Sequence, residues 1–299
     1  MLTSFDELLQ QVKSSENRRI SVAVAEDADI LEALDKAKKS ELADAILVGN
    51  QAEIEKVAKA SQIKLNQFEL LDVREEIEAV QKAIGLIRQG EADLLMKGLC
   101  STATLMKGVL DKDSGLRGNG LLSHLALFEI KSYHKLILMS DAAMNIAPTL
   151  EEKISITLNA IEAAHRLNIK EPKVALITAV EKINPGKMPA TTDAAIITRM
   201  SERGQIKGAI VDGPLALDNA FSKKSCEIKG ISSQVGGDTD IAIVPNIESG
   251  NIFYKLMSYL AGAKTAGIIV GAAVPIILTS RADSDEVKYL SITAAARIS

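Results

Sequence analysis

Short apolar runs alternate with stretches of helical periodicity along the whole chain, which is the pattern of an α/β fold. Residues 20–24 lead into a helix from about Asp27, "ADAILVG" into one from Gln51, "FELLD" into one through Arg88, and "ADLLMKG" into one from Ser101 to Leu110. Strands each followed by a helix predict parallel pairing through right-handed crossovers. Residues 111–120 are the most loop-like tract of the first half, and "LLSHLALFEI" after them reads as a β-arm or hairpin. A second series opens at "KLILMSDAAMNIAP" and passes through a helix in "TLEEKISITLNAIEAAHRL". Pro148 and Thr149 mark its entry, and Glu151 and Glu152 fall in the first turn, where the helix dipole favours acids. "KVALITA", "KGAIVDG" and "TDIAIVP" follow, with helices between them. Residues 245–286 read as a polar loop, an amphipathic helix, one buried apolar strand, and then Thr279, Ser280 and Arg281 at the strand's end.

The middle block is long enough to form its own domain, and the last helix returns the chain towards the first block. The expected organisation is one α/β domain from residues 1–134 with 265–299 and a second from residues 135–264, with crossovers near His134 and Lys264. No solenoid repeat, low-complexity tract or long charge run interrupts it.

Composition narrows the class. Hydrophobic residues make up 47% of the 299 positions but aromatics only 3%, without Trp, so the core must be built from Ala, Ile, Leu and Val. That suits parallel sheets covered by helices. A net charge of −4 lacks the basic surplus of a nucleic-acid footprint. Cys100 and Cys226 lie far apart and outside any C-x-x-C spacing, which predicts reduced thiols and a cytoplasmic location. "MLTSFDELLQQVKSSE" carries acids where a signal peptide needs positive charge, and the longest uncharged run, from Thr265 to Ser280, is too short for a bilayer span. A soluble protein without membrane partners is expected.

Two places have the chemistry of an anion site. Lys97, Gly98, Ser101 and Thr102 fall at a strand end and a helix start, where free N–H groups and the dipole favour a phosphate. Either hydroxyl can equally serve as an ordinary N-cap. The loop at Asn246, Ser249, Gly250 and Asn251 and the strand-end pair Ser280–Arg281 are the other place, since a guanidinium fork matches phosphate oxygens. The glycines of "DKDSGLRGNG" do not make a dinucleotide fingerprint, because no strand leads into them. His124 and His134 read as surface or interface residues and His165 as structural, and no cluster has metal-ligand spacing.

The order S-G-N-I-x-Y-K-L…A-G-A…P-I…S-R resembles the phosphate acetyl/butyryltransferase family, which exchanges an acyl group between coenzyme A and inorganic phosphate. "AVAEDADILEALDKAKKSELADAILVGNQAEI" is similar to the family's opening βαβ unit, and "VDGPLALDNA" to its D-G-x-L-x-x-D-x-A segment, so the resemblance covers nearly the whole chain. It implies two α/β domains with mostly parallel sheets and a cleft between them, an isopropylmalate-dehydrogenase-like architecture. It also implies direct transfer in a ternary complex, with coenzyme A and phosphate as substrates, no cofactor, and a homodimer or higher homo-oligomer. On this resemblance Arg281, Ser101, Thr102, Lys97, Ser249, Gly250, Asn251 and Lys255 bind substrate, Ser280 donates a hydrogen bond to the oxyanion, and a carboxylate shortly after the Ser-Arg pair is the base.

The chain departs from the family pattern in two ways. The tract after Ser-Arg is one residue shorter than in the acetyl-using members, so the base falls on Glu286 only with a gap, and Asp283 and Asp285 stay open; acids here also suit a helix start. Positions aligned with substrate-binding arginines are Met106 and Tyr259, which suit an acyl pocket and point to the butyryl-using branch. An acetyl-using enzyme, a metal- and NAD-dependent dehydrogenase of related fold, and a phosphate or acyl-CoA sensor without turnover are the alternatives.

Overall fold

The computed structural model describes residues 2–13, 17–118, 120–280 and 283–299. Its strands in chain order are β1 (Arg18–Ala23), β2 (Ala43–Gly49), β3 (Glu69–Asp72), β4 (Leu94–Lys97), β5 (Ser123–Glu129), β6 (Ile137–Ser140), β7 (Lys173–Ile177), β8 (Ile210–Leu215), β9 (Ile241–Ile243), β10 (Lys264–Val270) and β11 (Ile276–Ile277). The helices are α1 (Phe5–Lys13), α2 (Ala28–Lys39), α3 (Gln51–Ala60), α4 (Glu76–Arg88), α5 (Thr102–Val109), α6 (Leu150–Arg166), α7 (Pro189–Glu202), α8 (Leu217–Phe221), α9 (Lys223–Lys229), α10 (Ile247–Lys255) and α11 (Asp285–Ile298). Two compact units divide the chain: a terminal unit of Phe5–Gly120 with Ala266–Ser299, and a middle unit of Met1–Ser4 with Leu121–Thr265.

In the terminal unit the strand order is β3-β2-β1-β4-β11-β10. All pairs are parallel except β10 with β11. Polar caps set the helix starts: Asp27 accepts the Ile30 N–H, and Asn50 accepts those of Ala52 and Glu53. Helix α11 is buried on almost every side, from Lys288 to Ala296, against α1, α2 and β11. The apolar run before Ser280, expected as one strand, is instead a β10–β11 hairpin. Gly271, at φ 90°, and Pro275 turn it back, so that β11 pairs parallel with β4.

In the middle unit the order is β5-β6-β9-β7-β8, with only β5 and β6 antiparallel. The expected hairpin at "LLSHLALFEI" is thus β5 with β6. Its pairing holds β5, read from the sequence as part of the first domain, in the middle unit. A capping box of Thr149 and Glu152 starts α6. The core on one face gathers Ala126, Phe128, Met139, Ala242, Val244, Tyr254 and Met257.

Charges pin the amino ends of the middle unit's strands. Lys135, only 3% exposed, lies between the carboxylates of Asp238 (3.0 Å) and Asp240 (2.8 Å). Lys173 and His134 also reach Asp238, at 2.6 and 2.9 Å. Burial pushes the Asp238 carboxyl up, but the hydrogen bonds from Lys173, Lys135 and His134 outweigh it and hold it well below the usual carboxylate range. Its stabilising effect is therefore present above the unfolded carboxylate pKa and is lost as pH falls towards the folded one. Replacing Lys135 by Met leaves the buried Asp240 carboxylate without its ammonium partner, while Lys173 and His134 still hold Asp238, and is expected to destabilise the protein by about 3–5 kcal/mol in urea unfolding. Asp238→Asn is expected to flatten the loss of stability below about pH 4; an unchanged acid limb would remove Asp238 from that role.

Candidate active site

Parallel pairing brings the loops after β1, β2, β4 and β11 to one edge of the terminal unit, the carboxyl edge where α/β sheets bind ligands. The Lys97–Ser101 loop after β4 and the Thr279–Ser280 segment after β11 lie side by side there, because Ile277 pairs with Met96. Gly98 fits because a Cβ there would stand 1.9 Å from the Val24 carbonyl oxygen. Val24 itself is held at φ 63°, rare for a β-branched residue. The buried Lys97 ammonium donates to the carbonyls of Gly98 (2.9 Å) and Cys100 (3.1 Å) and so braces its own loop. Burial pushes the neighbouring Cys100 thiol up to about 11, against the pull of Lys97. Ser101 is the N-cap of α5: its Oγ accepts the Thr104 N–H at 2.9 Å. Thr102 is exposed in the first turn, and Met106 is buried farther along α5.

Ser280 is exposed, and its backbone N–H donates to the buried Asp283 carboxylate at 2.7 Å. The Lys288 ammonium, buried in α11, donates to the Asp283 carbonyl and lies 3.4 Å from Asp29, fixing the same turn from below. Ser284 caps α11, with Asp285 half-buried and Glu286 exposed in its first turn. Arg281, expected as the phosphate anchor, lies outside the described residues.

The middle unit has its own carboxyl edge, after β6, β9, β7 and β8. The turn after β6 is organised by Asp141: Oδ1 accepts the amides of Ala143 (2.8 Å) and Met144 (2.9 Å), and Oδ2 accepts the Asn145 side chain (2.6 Å). The S-G-N segment packs directly on this turn. A Cβ on Gly250 would stand 2.3 Å from the Asp141 carbonyl oxygen, and Asn251 donates to the Ala142 carbonyl at 3.4 Å. Asn246 caps α10 through the Ser249 N–H (2.9 Å). Helix α10 runs on into a π-helical turn, Leu256–Leu260, a feature that concentrates at functional sites. Lys255 lies over the rings of Tyr254 (5.8 Å) and Tyr259 (5.4 Å), and Tyr259 is 61% exposed. Gathered at the terminal unit's edge and on its α5 and α11 are thus Lys97, Ser101, Thr102, Met106, Ser280, Asp283 and Glu286. Ser249, Gly250, Asn251, Lys255 and Tyr259 belong to α10 of the middle unit and its π turn.

Ser101, Ser249, Gly250 and Ser280 therefore sit at a strand end or in the first turn of a helix, and Met106, Lys255 and Tyr259 lie farther along α5, α10 and its π turn. The phosphate acetyl/butaryl transferase family model matches residues 4–81 and 72–296. The chain belongs to this family. It is 47% identical over 298 residues to phosphate butyryltransferase of Clostridium acetobutylicum, covering 100% of this chain and 99% of that one. It is 40% identical over 292 residues to phosphate acetyltransferase of Thermotoga maritima, covering 98% and 99%. The solved branched-chain phosphotransacylase of Enterococcus faecalis V583 superposes with a TM-score of 0.83 at 36% identity, over 94% of this chain and 98% of that one.

Within this family member, sequence reasoning passed over Lys288 and Asn145 and gave Asp141 no role, and it read His124 as a surface or interface residue. His124 is buried. Lys288 had a signal, a lysine within "VKYLSITAAA" where the helix is otherwise aromatic, apolar or small. His134 and His165 are exposed and bond Asp238 and the Gly208 carbonyl (2.7 Å), which are structural contacts. Gly98→Ala and Gly250→Ala each force backbone to move and are expected to cost more than about 2 kcal/mol of stability. Gly186→Ala, whose Cβ meets open space, is the control expected to melt as wild type does. Melting curves of the three variants check this, and equal curves would refute the close approaches.

Proposed function

We propose that this chain exchanges a short-chain acyl group between coenzyme A and inorganic phosphate, butyryl-CoA and phosphate giving butyryl phosphate and free CoA. The observation that carries this reading is the family's motif set standing at the carboxyl ends of strands, with Ser280 presented on a turn that Asp283 and Lys288 hold. A phosphate oxygen attacks the thioester carbonyl carbon, the C–O bond forms, and the carbonyl oxygen becomes an oxyanion. Collapse then breaks the C–S bond, and the leaving thiolate takes up a proton. In the reverse direction the same proton must leave the thiol.

Ser280 supplies a hydrogen bond to the oxyanion. Glu286 is assigned as the proton-handling carboxylate: it is exposed in the first turn of α11, whereas the Asp283 carboxylate is occupied by the Ser280 N–H. Arg281, Ser101, Thr102, Ser249, Gly250, Asn251 and Lys255 are assigned to phosphate and the CoA end, with Lys97 shaping the loop. Met106 and Tyr259 are assigned to the acyl chain. The isopropylmalate-dehydrogenase-like arrangement, with substrates taken in an interdomain cleft, belongs to this reading. So do coenzyme A and phosphate acting as substrates without a cofactor, and a cytoplasmic location. Among the described residues no helix is long and apolar enough to cross a membrane. A homodimer or higher homo-oligomer is proposed to cover the exposed Ile252, Leu256 and Leu260 on α10 and its π turn.

Following CoA release from a panel of straight and branched acyl-CoAs with and without phosphate tests the reading. Release is expected only with phosphate, and butyryl should exceed acetyl by about 15-fold in kcat/KM, the worth of two buried methylenes. Acetyl-CoA equalling butyryl-CoA would move the chain to the acetyl-using branch, and release that ignores phosphate would end the proposal. Glu286→Gln should lower kcat about 10²–10⁴-fold while binding survives. Equal small losses in Asp283→Asn, Asp285→Asn and Glu286→Gln would place the base elsewhere.

A further inference from the structure

We propose that His124 is a further substrate-contacting residue, whose imidazole hydrogen-bonds the neutral thioester and pantetheine end of acyl-CoA. The inference rests on the acyl-transfer reading and extends it to a residue outside the motifs that suggested that reading.

His124 stands at the start of β5, on the carboxyl edge of the middle unit's sheet. Its carbonyl accepts the Ser140 hydroxyl at 2.8 Å, which ties it to the end of β6 beside the Asp141 turn. The ring meets Tyr254 of α10 edge to face, with centroids 5.9 Å apart, one turn along the helix from Gly250 and Asn251. The residue is only 5% exposed, and its Nδ1 is buried without a hydrogen-bond partner among the described residues. A buried polar atom left unpaired costs as much as a lost hydrogen bond, and such atoms are rare in folded proteins. An apolar side chain would fill this place in the core more cheaply, so the nitrogen calls for a partner that arrives with the substrate.

The surroundings select the chemistry of that partner. Burial lowers the imidazole pKa, and the Asp141 charge offsets part of this, so the ring offers a neutral donor and acceptor. Asp141 does not take the ring nitrogen for itself, because its oxygens are engaged by Ala143, Met144 and Asn145. A buried carboxylate beside a neutral imidazole repels a phosphate dianion and suits an uncharged carbonyl or amide. Both groups are present at the reacting end of acyl-CoA.

Two variants separate contact from packing. His124→Phe keeps a ring against Tyr254 and removes both nitrogens; His124→Gln keeps a donor and an acceptor. For His124→Phe, calorimetry with butyryl-CoA and no phosphate should show binding weaker by about tenfold, the factor of one lost hydrogen bond. KM for butyryl-CoA should rise equally, KM for phosphate should stay within about twofold, and the melting temperature should not fall. His124→Gln should recover part of the affinity. Unchanged butyryl-CoA affinity in His124→Phe overturns the assignment, as does a rise in KM for phosphate alone or a drop in melting temperature with both KM values unchanged. Wild-type protein that binds butyryl-CoA but releases no CoA with phosphate would sink the proposed reaction and leave the His124 contact to be judged by binding alone.

Discussion

Backbone-to-backbone contact at strand ends is the constraint on which both units depend. In the terminal unit the loop after β4 lies on the loop after β1 so closely that only glycine fits at position 98. In the middle unit α10 begins so close to the turn after β6 that only glycine fits at position 250. Each contact sets where the neighbouring polar groups stand: Ser101 and α5 in the first case, Ser249 and Asn251 in the second. Loops seated in this way are rigid without needing large side chains, which accords with a chain of only 3% aromatic residues.

Buried lysines do much of the remaining positioning. Lys97, Lys135, Lys153 and Lys288 are all nine-tenths or more buried, and each is paired: Lys97 with loop carbonyls, Lys135 and Lys153 with carboxylates, Lys288 with the Asp283 carbonyl and Asp29. A buried ammonium is tolerated only with such partners, so it fixes their geometry as firmly as its own. At the amino end of the middle unit this ties strands together. At the carboxyl edge of the terminal unit the same device holds the two loops that carry Ser101 and Ser280.

Much of this was legible in the chain. Apolar runs followed by periodic helices gave β1 to β4 with their helices, and the caps at Asp27, Ser101 and Thr149 stand where their side chains suggested. The β10–β11 hairpin was not legible, because the run from Ala266 to Ile277 is uncharged and almost wholly apolar and only Gly271 and Pro275 mark the turn within it. Ser101, readable as a phosphate ligand or a cap, caps α5 through its Oγ, which accepts the Thr104 N–H. Asp283 and Glu286 looked alike in sequence; burial and the bond to the Ser280 N–H tell them apart. Roles that depend on burial, such as those of Lys288, Asp141 and His124, leave little trace in composition or periodicity, since which face a polar residue turns inward is decided by tertiary packing.

The proposed reaction is direct transfer between two bound substrates, with Ser280 as a hydrogen-bond donor to the oxyanion. Initial velocities with butyryl-CoA and phosphate varied against each other test it most directly. Intersecting double-reciprocal lines, with butyryl phosphate formed in step with free CoA, are the predicted result. Parallel lines, with a burst of CoA released before phosphate is added, would show a covalent acyl-enzyme and contradict the account.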